Sequence, residues 1–285
     1  MNSDIRPLEP GLYFIATPIG NARDITLRAL DILASADVIA AEDTRTARKL
    51  MKIHDVELGA RPVIAYHDHN GSAVRPRLLA ELEAGKTVAY ASEAGTPMVA
   101  DPGFVLARDA IAAGHMVTSA PGPSAVIAAL TIAGMPTDRF LFAGFAPSTG
   151  GARRRFLAEL ADVPATLVIY ESPKRIHKSL LDMVLEFGPE RQLAVCRELT
   201  KKFEEVLRGT AQEVCDVLET RKLKGEIVLV VDRNRAVASA ENLEDELEAA
   251  LKTMSVKDAV SSVAEKLNLP RRQVYQTALN IGKNI

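Results

Sequence analysis

Cysteine is nearly absent: the 285 residues hold only Cys196 and Cys215, far apart and in unrelated surroundings. That excludes a disulfide framework or a cysteine-rich zinc site and fits a reducing compartment. An excess of charge of one sign is missing too. The formal net charge is −2, so a polyanionic partner has to be met by a local basic patch, not by the global field. No long apolar run exists. The longest weakly polar stretch, "APGPSAVIAALTIAG", is too short and too interrupted to span a bilayer. The opening "MNSDIRPLEPG" mixes charges and prolines without an apolar core, so no signal peptide is expected. The G-x-G-x-x-G fingerprint of dinucleotide-binding proteins is also lacking. "TPIGN" (17–21) stands where it would follow the first strand. "YHDHN" (66–70) packs two histidines and an aspartate together, but no third ligand cluster lies nearby, and no metal is expected. These absences leave a soluble, cytoplasmic protein with no membrane contact.

What is present is alternation. Hydrophobic content of 47% and charged content of 25% are ordinary for a globular protein, and the length suits two domains. "GLYFIA", "DVIAAED", "PVIAYHDHN", "TVAYAS" and "HMVTSAPG" are β-rich apolar runs, each followed by a loop carrying polar groups. Helical spacing lies between them, as in "DITLRALDILASA". This predicts an α/β domain over residues 1–120 with a largely parallel sheet. In such sheets ligands bind beyond the carboxyl ends of the strands. "RFLFAGFAP", "ATLVIYES", "RQLAVCREL" and "GEIVLVVDR" predict a second α/β domain over 121–233, with a more mixed sheet. "NRAVASAEN" (234–242) reads as a linker. A helical, helix-turn-helix-like region then covers 243–285. There Val256, Val260, Val263, Ala264 and Leu267 share one face, Asn268 turns the chain, and Pro270 opens a second helix.

Three stiff loops fall at one edge of the first sheet: "TPIGN", "SEAGTPMVADPG" (92–103) and "APGPSA" (120–125). The second is armed with Glu93 and Asp101, and Gly95, Pro97, Pro102 and Gly103 bend or stiffen it. In the third, Ser124 can cap a helix whose exposed N–H groups favour an anion. Rigid walls around one crevice suggest a preorganised small-molecule pocket. Taken alone, "TPIGN" also reads as a turn introducing a helix capped near Asp24, and "APGPSA" equally as the N-cap of a buried helix. "AEDTRTARK" (41–49), where Glu42 and Asp43 precede Arg45 and Arg48, also reads as a solvated helix start with acids at its N-terminus. Basic segments at Arg153 and Arg154, at Lys174 and Arg175, and at Arg271 and Arg272 are candidate phosphate contacts.

Seven motifs occur in order: "LYFIATPIGNARDITLRALDILASADVIAAEDTR", "HDHN", "SEAGTPMVADPG", "APGPSA", "DRFLFAGFAP", "YESPKRIHKSL" and "RELTKKFEE". Over about residues 11–232 they resemble the ribosomal RNA small subunit methyltransferase I family of tetrapyrrole-methylase-like (class III) methyltransferases, and the tail resembles that family's C-terminal helical region. The resemblance implies two α/β domains of the tetrapyrrole methylase type with a cofactor cleft between them, and a homodimer. It implies S-adenosyl-L-methionine as donor and 2′-O-methylation of a cytidine in the decoding region of 16S rRNA, whether free or in the small ribosomal subunit. By the family pattern the cofactor contacts are Pro18, the loop Glu93, Gly95, Thr96, Pro97 and Met98, then Ser124, Ala125, Tyr170 and Leu199. The family reads Asp where this chain has Glu93, one methylene longer.

A ribose hydroxyl is a weak acid, and Asp43 or His67 is the expected proton acceptor, with Asp68 beside them. Arg45, Arg153, Arg154, Lys174, Arg175, Arg271 and Arg272 are the expected RNA contacts. Two other functions compete. One is methylation of a small tetrapyrrole precursor, which would not need the arginines and the tail. The other is a nucleic-acid-binding regulator that uses the tail for DNA or RNA and the α/β part as a ligand sensor.

Overall fold

The structure, a computed structural model, describes residues 7–98, 103–267 and 269–281. Asp101, Pro102 and Asn268 lie outside them. The chain forms two compact units. The first holds the described residues up to Ile132 together with Arg197–Glu205. The second holds Ala133–Cys196 and the described residues from Val206 onward.

In the first unit, β1 (Gly11–Ile15), α1 (Leu27–Ser35), β2 (Val38–Ala41), α2 (Thr44–Ile53) and β3 (Val63–Ala65) come first. They are followed by α3 (Gly71–Glu83), β4 (Thr87–Ala91), α4 (Gly103–Ala112), β5 (Val117–Ala120) and α5 (Ala125–Ala133). The strands form one sheet in the order β3-β2-β4-β1-β5, and each neighbouring pair is parallel. The expectation of a parallel α/β domain is met. Strands β1 and β4 are buried at every position, as central strands covered on both faces must be. Alternate side chains feed two cores. Leu12 and Phe14 join Val88 and Tyr90 on one face, while Tyr13 and Ile15 join Ala89 on the other. Tyr90 holds the first face together through edge-on contacts to Phe14 at 5.4 Å and Tyr66 at 5.9 Å. Helix α1 is capped by Thr26, whose hydroxyl accepts from Ala29 N–H, and Asp24 sits in a preceding single turn capped by Asn21.

The second unit contains β6 (Phe140–Phe145), α6 (Gly150–Leu160), β7 (Thr166–Glu171), α7 (Ile176–Phe187) and β8 (Gln192–Arg197). Strand β9 (Glu205–Thr210), α8 (Ala211–Glu219) and β10 (Ile227–Val231) complete its α/β part. The sheet order is β6-β7-β10-β8-β9. It is mixed, since β6 runs parallel to β7 and β10 antiparallel to it. Strand β9, "EVLRGT", was not expected. It is an edge strand of partly exposed, polar residues and carries no apolar run to mark it. The segment read as a linker is instead the start of α9 (Arg235–Leu251); its alanines favour helix. Helices α10 (Val256–Lys266) and α11 (Arg271–Ile281) follow. Leu243, Leu247, Val260, Val263, Ala264, Val274 and Ala278 form a core of their own, while Val256, expected on that face, is exposed. Among the described residues no helix is long and apolar enough to cross a membrane.

Candidate functional site

The three stiff loops are stapled to one another. Thr17 and Gly95 form an isolated two-residue bridge: Thr17 N–H donates to Gly95 O at 3.0 Å and Gly95 N–H donates to Thr17 O at 2.9 Å. Ser92 Oγ donates to Gly95 O at 2.6 Å, and Thr17 Oγ1 donates to Ser92 O at 3.2 Å. The third loop joins through Thr96 Oγ1, which donates to Pro123 O at 2.9 Å. Gly95 has φ +82°, and a Cβ there would stand 3.3 Å from Ile19 Cγ2. Each such hydrogen bond is worth about 0.5–1.5 kcal/mol net. Added to the prolines, which leave little backbone freedom to lose, they make these walls rigid before any ligand arrives.

Backbone strain lies in the second of these loops and in a further segment, around Leu199, that is bonded to the first. Among the described residues four non-glycine residues have positive φ: Asp55, Met98, Glu198 and Thr200. Met98 lies in the second loop, and Glu198 and Thr200 bracket Leu199. Such conformations cost about 1–3 kcal/mol each and persist where surrounding structure over-determines them. Here the surroundings are visible. Thr200 Oγ1 accepts from Asn21 N–H at 3.1 Å, Thr200 N–H donates to Glu204 Oε2 at 2.6 Å, and Lys201 Nζ pairs with Glu198 at 2.9 Å. Pro18, the Glu93–Met98 loop, Ser124, Ala125 and Leu199 therefore all belong to the first unit. Ser124 Oγ lies 3.5 Å from Ile127 N–H at the start of α5. Tyr170 lies in the second unit, on β7, edge-on to Phe142 at 4.8 Å and Phe145 at 5.2 Å. Burial, with the Glu226 charge second, pushes its phenol above the ordinary value of 10.

The two expected proton acceptors both stand at helix starts. Asp43 is the N-cap of α2. Its Oδ1 accepts from Arg45 N–H at 2.7 Å, and Arg45 Nη2 donates to its Oδ2 at 2.9 Å. The Arg45 guanidinium, then that backbone N–H, holds the carboxyl at a pKa of about 2, which makes it a poor base at neutral pH. His67 opens the turn into α3. Asn70 Oδ1 accepts from His67 N–H at 2.8 Å and Asn70 Nδ2 donates to Ala65 O at 2.9 Å, so the motif builds a turn. The Nδ1 of His67 is buried without a partner among the described residues, so no hydrogen bond from them fixes the tautomer that would leave Nε2 as acceptor. Among the described residues no group of three or more His, Cys, Asp or Glu is placed to hold a metal.

The basic candidates divide as well. Arg153 is a correction: it is 4% exposed, and its guanidinium grips Asp182 at 2.6 Å. Arg175 binds the buried carboxylate of Glu171, which also accepts from Ser172 N–H and the Ser179 hydroxyl. Arg154 pairs with Glu186 at 3.0 Å. Lys174, Arg271 and Arg272 are exposed, the two arginines on the first turn of α11. On α2, "TRTARKLMKI", sequence reasoning singled out Arg45 and Arg48 but missed Lys49 and Lys52, which bring the cations on one short helix to four.

Residues 11–215 match the family described as Tetrapyrrole (Corrin/Porphyrin) Methylases, and residues 236–282 match the RsmI C-terminal HTH domain. Curated relatives named Ribosomal RNA small subunit methyltransferase I include those of Mesorhizobium japonicum and Mycobacterium tuberculosis. The first is 45% identical over 97% of this chain and 94% of its own length, the second 43% identical over 93% of each. The chain belongs to the tetrapyrrole methylases, in the family of ribosomal RNA small subunit methyltransferase I. It is thus a methyltransferase. Solved structures agree on the fold. A cobalt precorrin-4 methyltransferase superposes with TM-score 0.58 at 19% identity, covering 78% of this chain and 94% of that one. The uroporphyrin-III C-methyltransferase of Thermus thermophilus, complexed with S-adenosyl homocysteine, gives TM-score 0.52 at 19% identity over 77% and 96%.

Proposed function

We propose that this methyltransferase moves a methyl group from S-adenosyl-L-methionine to the ribose 2′-hydroxyl of a cytidine in the decoding region of 16S rRNA, free or within the small subunit. The observation that carries the cofactor reading is the coincidence of strain and stapling. Three of the four left-handed non-glycine residues fall in the segments around Met98 and Leu199, and the loops beside them are cross-bonded into a glycine-containing backbone wall. Preorganised backbone of this kind suits a ligand rich in hydrogen-bonding groups, so the residues present fit the cofactor. Pro18, the loop from Glu93 through Gly95, Thr96 and Pro97 to Met98, then Ser124, Ala125, Leu199 and Tyr170 would hold it. When bound, it supplies an electrophilic methyl on a sulfonium.

The chain's own contribution is orientation. Holding the ribose hydroxyl in line can supply on the order of 7–11 kcal/mol, which exceeds what a general base adds, about 10²–10⁴-fold. Asp43 acts by fixing Arg45 and the start of α2, and no dedicated base is assigned. Lys174, Arg271 and Arg272 meet phosphates. The protein works in the cytoplasm as a homodimer. The edge strand β6, which exposes Phe140, Leu141 and Phe145, supports self-association. Incubation with methyl-labelled cofactor tests the reading: label should enter a ribose-methylated cytidine of small subunits. Label in a tetrapyrrole precursor, or binding of cofactor with no transfer, would replace it with one of the competing functions.

A further inference from the structure

We propose that α2 and the hollow beside it form the seat of the target nucleotide, with phosphates on the helix and the base in the hollow. The proposal rests on the RNA reading above. Helix α2 carries Arg45, Arg48, Lys49 and Lys52 within ten residues. All four are exposed, and among the described residues only Arg45 has an ion-pair partner, Asp43. Several arginines elsewhere are neutralised by neighbours, as Arg153, Arg154, Arg175 and Arg233 are. Three unneutralised cations on one helix, in a protein of net charge −2, form the local basic patch that a polyanion needs.

Of the patch, Arg48 and Lys52 line a separate depression with Asp55 and Glu57, and Lys49 lines a hollow. It has a volume of about 160 Å³ and lies between the first loop and α2, lined by Thr17 and Pro18, by Lys49, Leu50 and Ile53, and by Glu93. That is below the ~300–1,000 Å³ of pockets enclosing a drug-sized ligand, so it is too small for the whole cofactor and suited to one planar ring. Leu50 and Ile53 offer apolar contact to a ring face. At the polar end, Glu93 N–H donates to Glu42 Oε2 at 3.2 Å. The Glu93 carboxylate itself accepts no hydrogen bond among the described residues. A carboxylate is the acceptor that the exocyclic amine of cytosine calls for, and uracil lacks that donor. Lys49 supplies a donor for the ring carbonyl. The loops proposed to hold the cofactor include Pro18 and Glu93, so a base here is next to the donor group.

Three variants of the full chain test this. The triple variant Arg48→Gln, Lys49→Gln, Lys52→Gln should bind a 16S decoding-region RNA roughly tenfold or more weakly, and its slope of log affinity against log salt should fall by about two, as loss of three phosphate contacts requires. Cofactor affinity by calorimetry should not change. Ile53→Trp, at a half-exposed position, should fill the hollow and cut methyl transfer at saturating cofactor while leaving RNA affinity within about threefold, since phosphate contacts dominate affinity. Glu93→Gln should reduce discrimination between the cytidine substrate and one with uridine at the modified position by roughly tenfold. An unchanged RNA affinity and salt slope in the triple variant overturns the phosphate track. Loss of cofactor binding in Ile53→Trp overturns the base assignment and gives the hollow to the cofactor. Filter binding needs no turnover, so absence of methyl transfer by the wild type would count against the proposed reaction and not against this surface.

Discussion

Thr200 and Asn21 stand 179 residues apart in sequence, yet Thr200 Oγ1 accepts the backbone N–H of Asn21 at 3.1 Å. The contact holds the first loop against a left-handed turn. Gly20 makes it sterically open: a Cβ there would lie 2.7 Å from Thr200 Oγ1 and 2.9 Å from the Leu199 carbonyl oxygen. The nearest atom, Lys201 Cγ at 2.4 Å, can swing away, but the Leu199 backbone cannot. Thr200→Val should therefore weaken cofactor binding about fivefold to tenfold, the worth of one hydrogen bond of ~1–1.5 kcal/mol. Thr200→Ser should restore it, and Gly20→Ala should be worse than either. Calorimetric titration with the cofactor decides. Equal affinity in Thr200→Val and wild type would show that the contact is incidental.

Much of this site was legible in the sequence because prolines and glycines mark rigid loops directly. The three walls, the parallel first sheet and the helical tail follow from local pattern alone. The Thr200–Asn21 contact does not, since nothing local says that 197–205 joins the first unit. Burial was equally invisible. "ARRRF" reads as a basic run, but helical periodicity turns Arg153 inward onto Asp182 and leaves Arg154 outside. Strand β9 leaves no mark in the sequence because an edge strand needs no continuous apolar face.

Arg153 and Lys174 should separate stability from RNA binding. Arg153→Ala strands the Asp182 carboxylate, 14% exposed, in a largely buried site. The expected loss is about 3–5 kcal/mol of stability, with unchanged RNA affinity in whatever remains folded. Lys174→Gln, at an exposed position, should leave the melting temperature alone and weaken RNA binding about threefold. Denaturant melts paired with filter binding measure both. The reverse pattern would put Arg153 back among the phosphate contacts.

Asp43 and His67 test whether positioning suffices. Asp43→Asn keeps a side-chain oxygen for the α2 cap and removes the charge that fixes Arg45. Both Asp43→Asn and His67→Ala should keep methyl transfer within about tenfold at saturating substrates. A loss of 10²-fold or more in either would identify a general base. The pH dependence has a definite sign. The folded pKa of Asp43, about 2, is depressed below its ordinary 3.8. Its stabilising contribution is thus complete above about pH 4 and is lost as pH falls toward 2. Asp43→Asn should flatten the stability profile in that window and change nothing between pH 6 and 8.

The tail offers a cleaner separation, because its core is self-contained. Leu243, Leu247, Val260, Val263, Ala264, Val274 and Ala278 pack on one another, while the sheet of the second unit has its own cluster around Leu167, Leu180 and Leu229. Arg271 and Arg272 stand exposed on the first turn of α11, where removing charge disturbs no packing. Ser255, which caps α10 by accepting from Asp258 N–H at 3.3 Å, holds the preceding helix independently of them. Arg271→Ala with Arg272→Ala should lower RNA affinity about threefold to tenfold and shallow the salt slope by about one to two. Melting temperature and cofactor affinity should stay at wild-type values. If RNA affinity is unchanged while the melting temperature falls, the arginines serve the fold of the tail and RNA is held elsewhere, on α2 and Lys174.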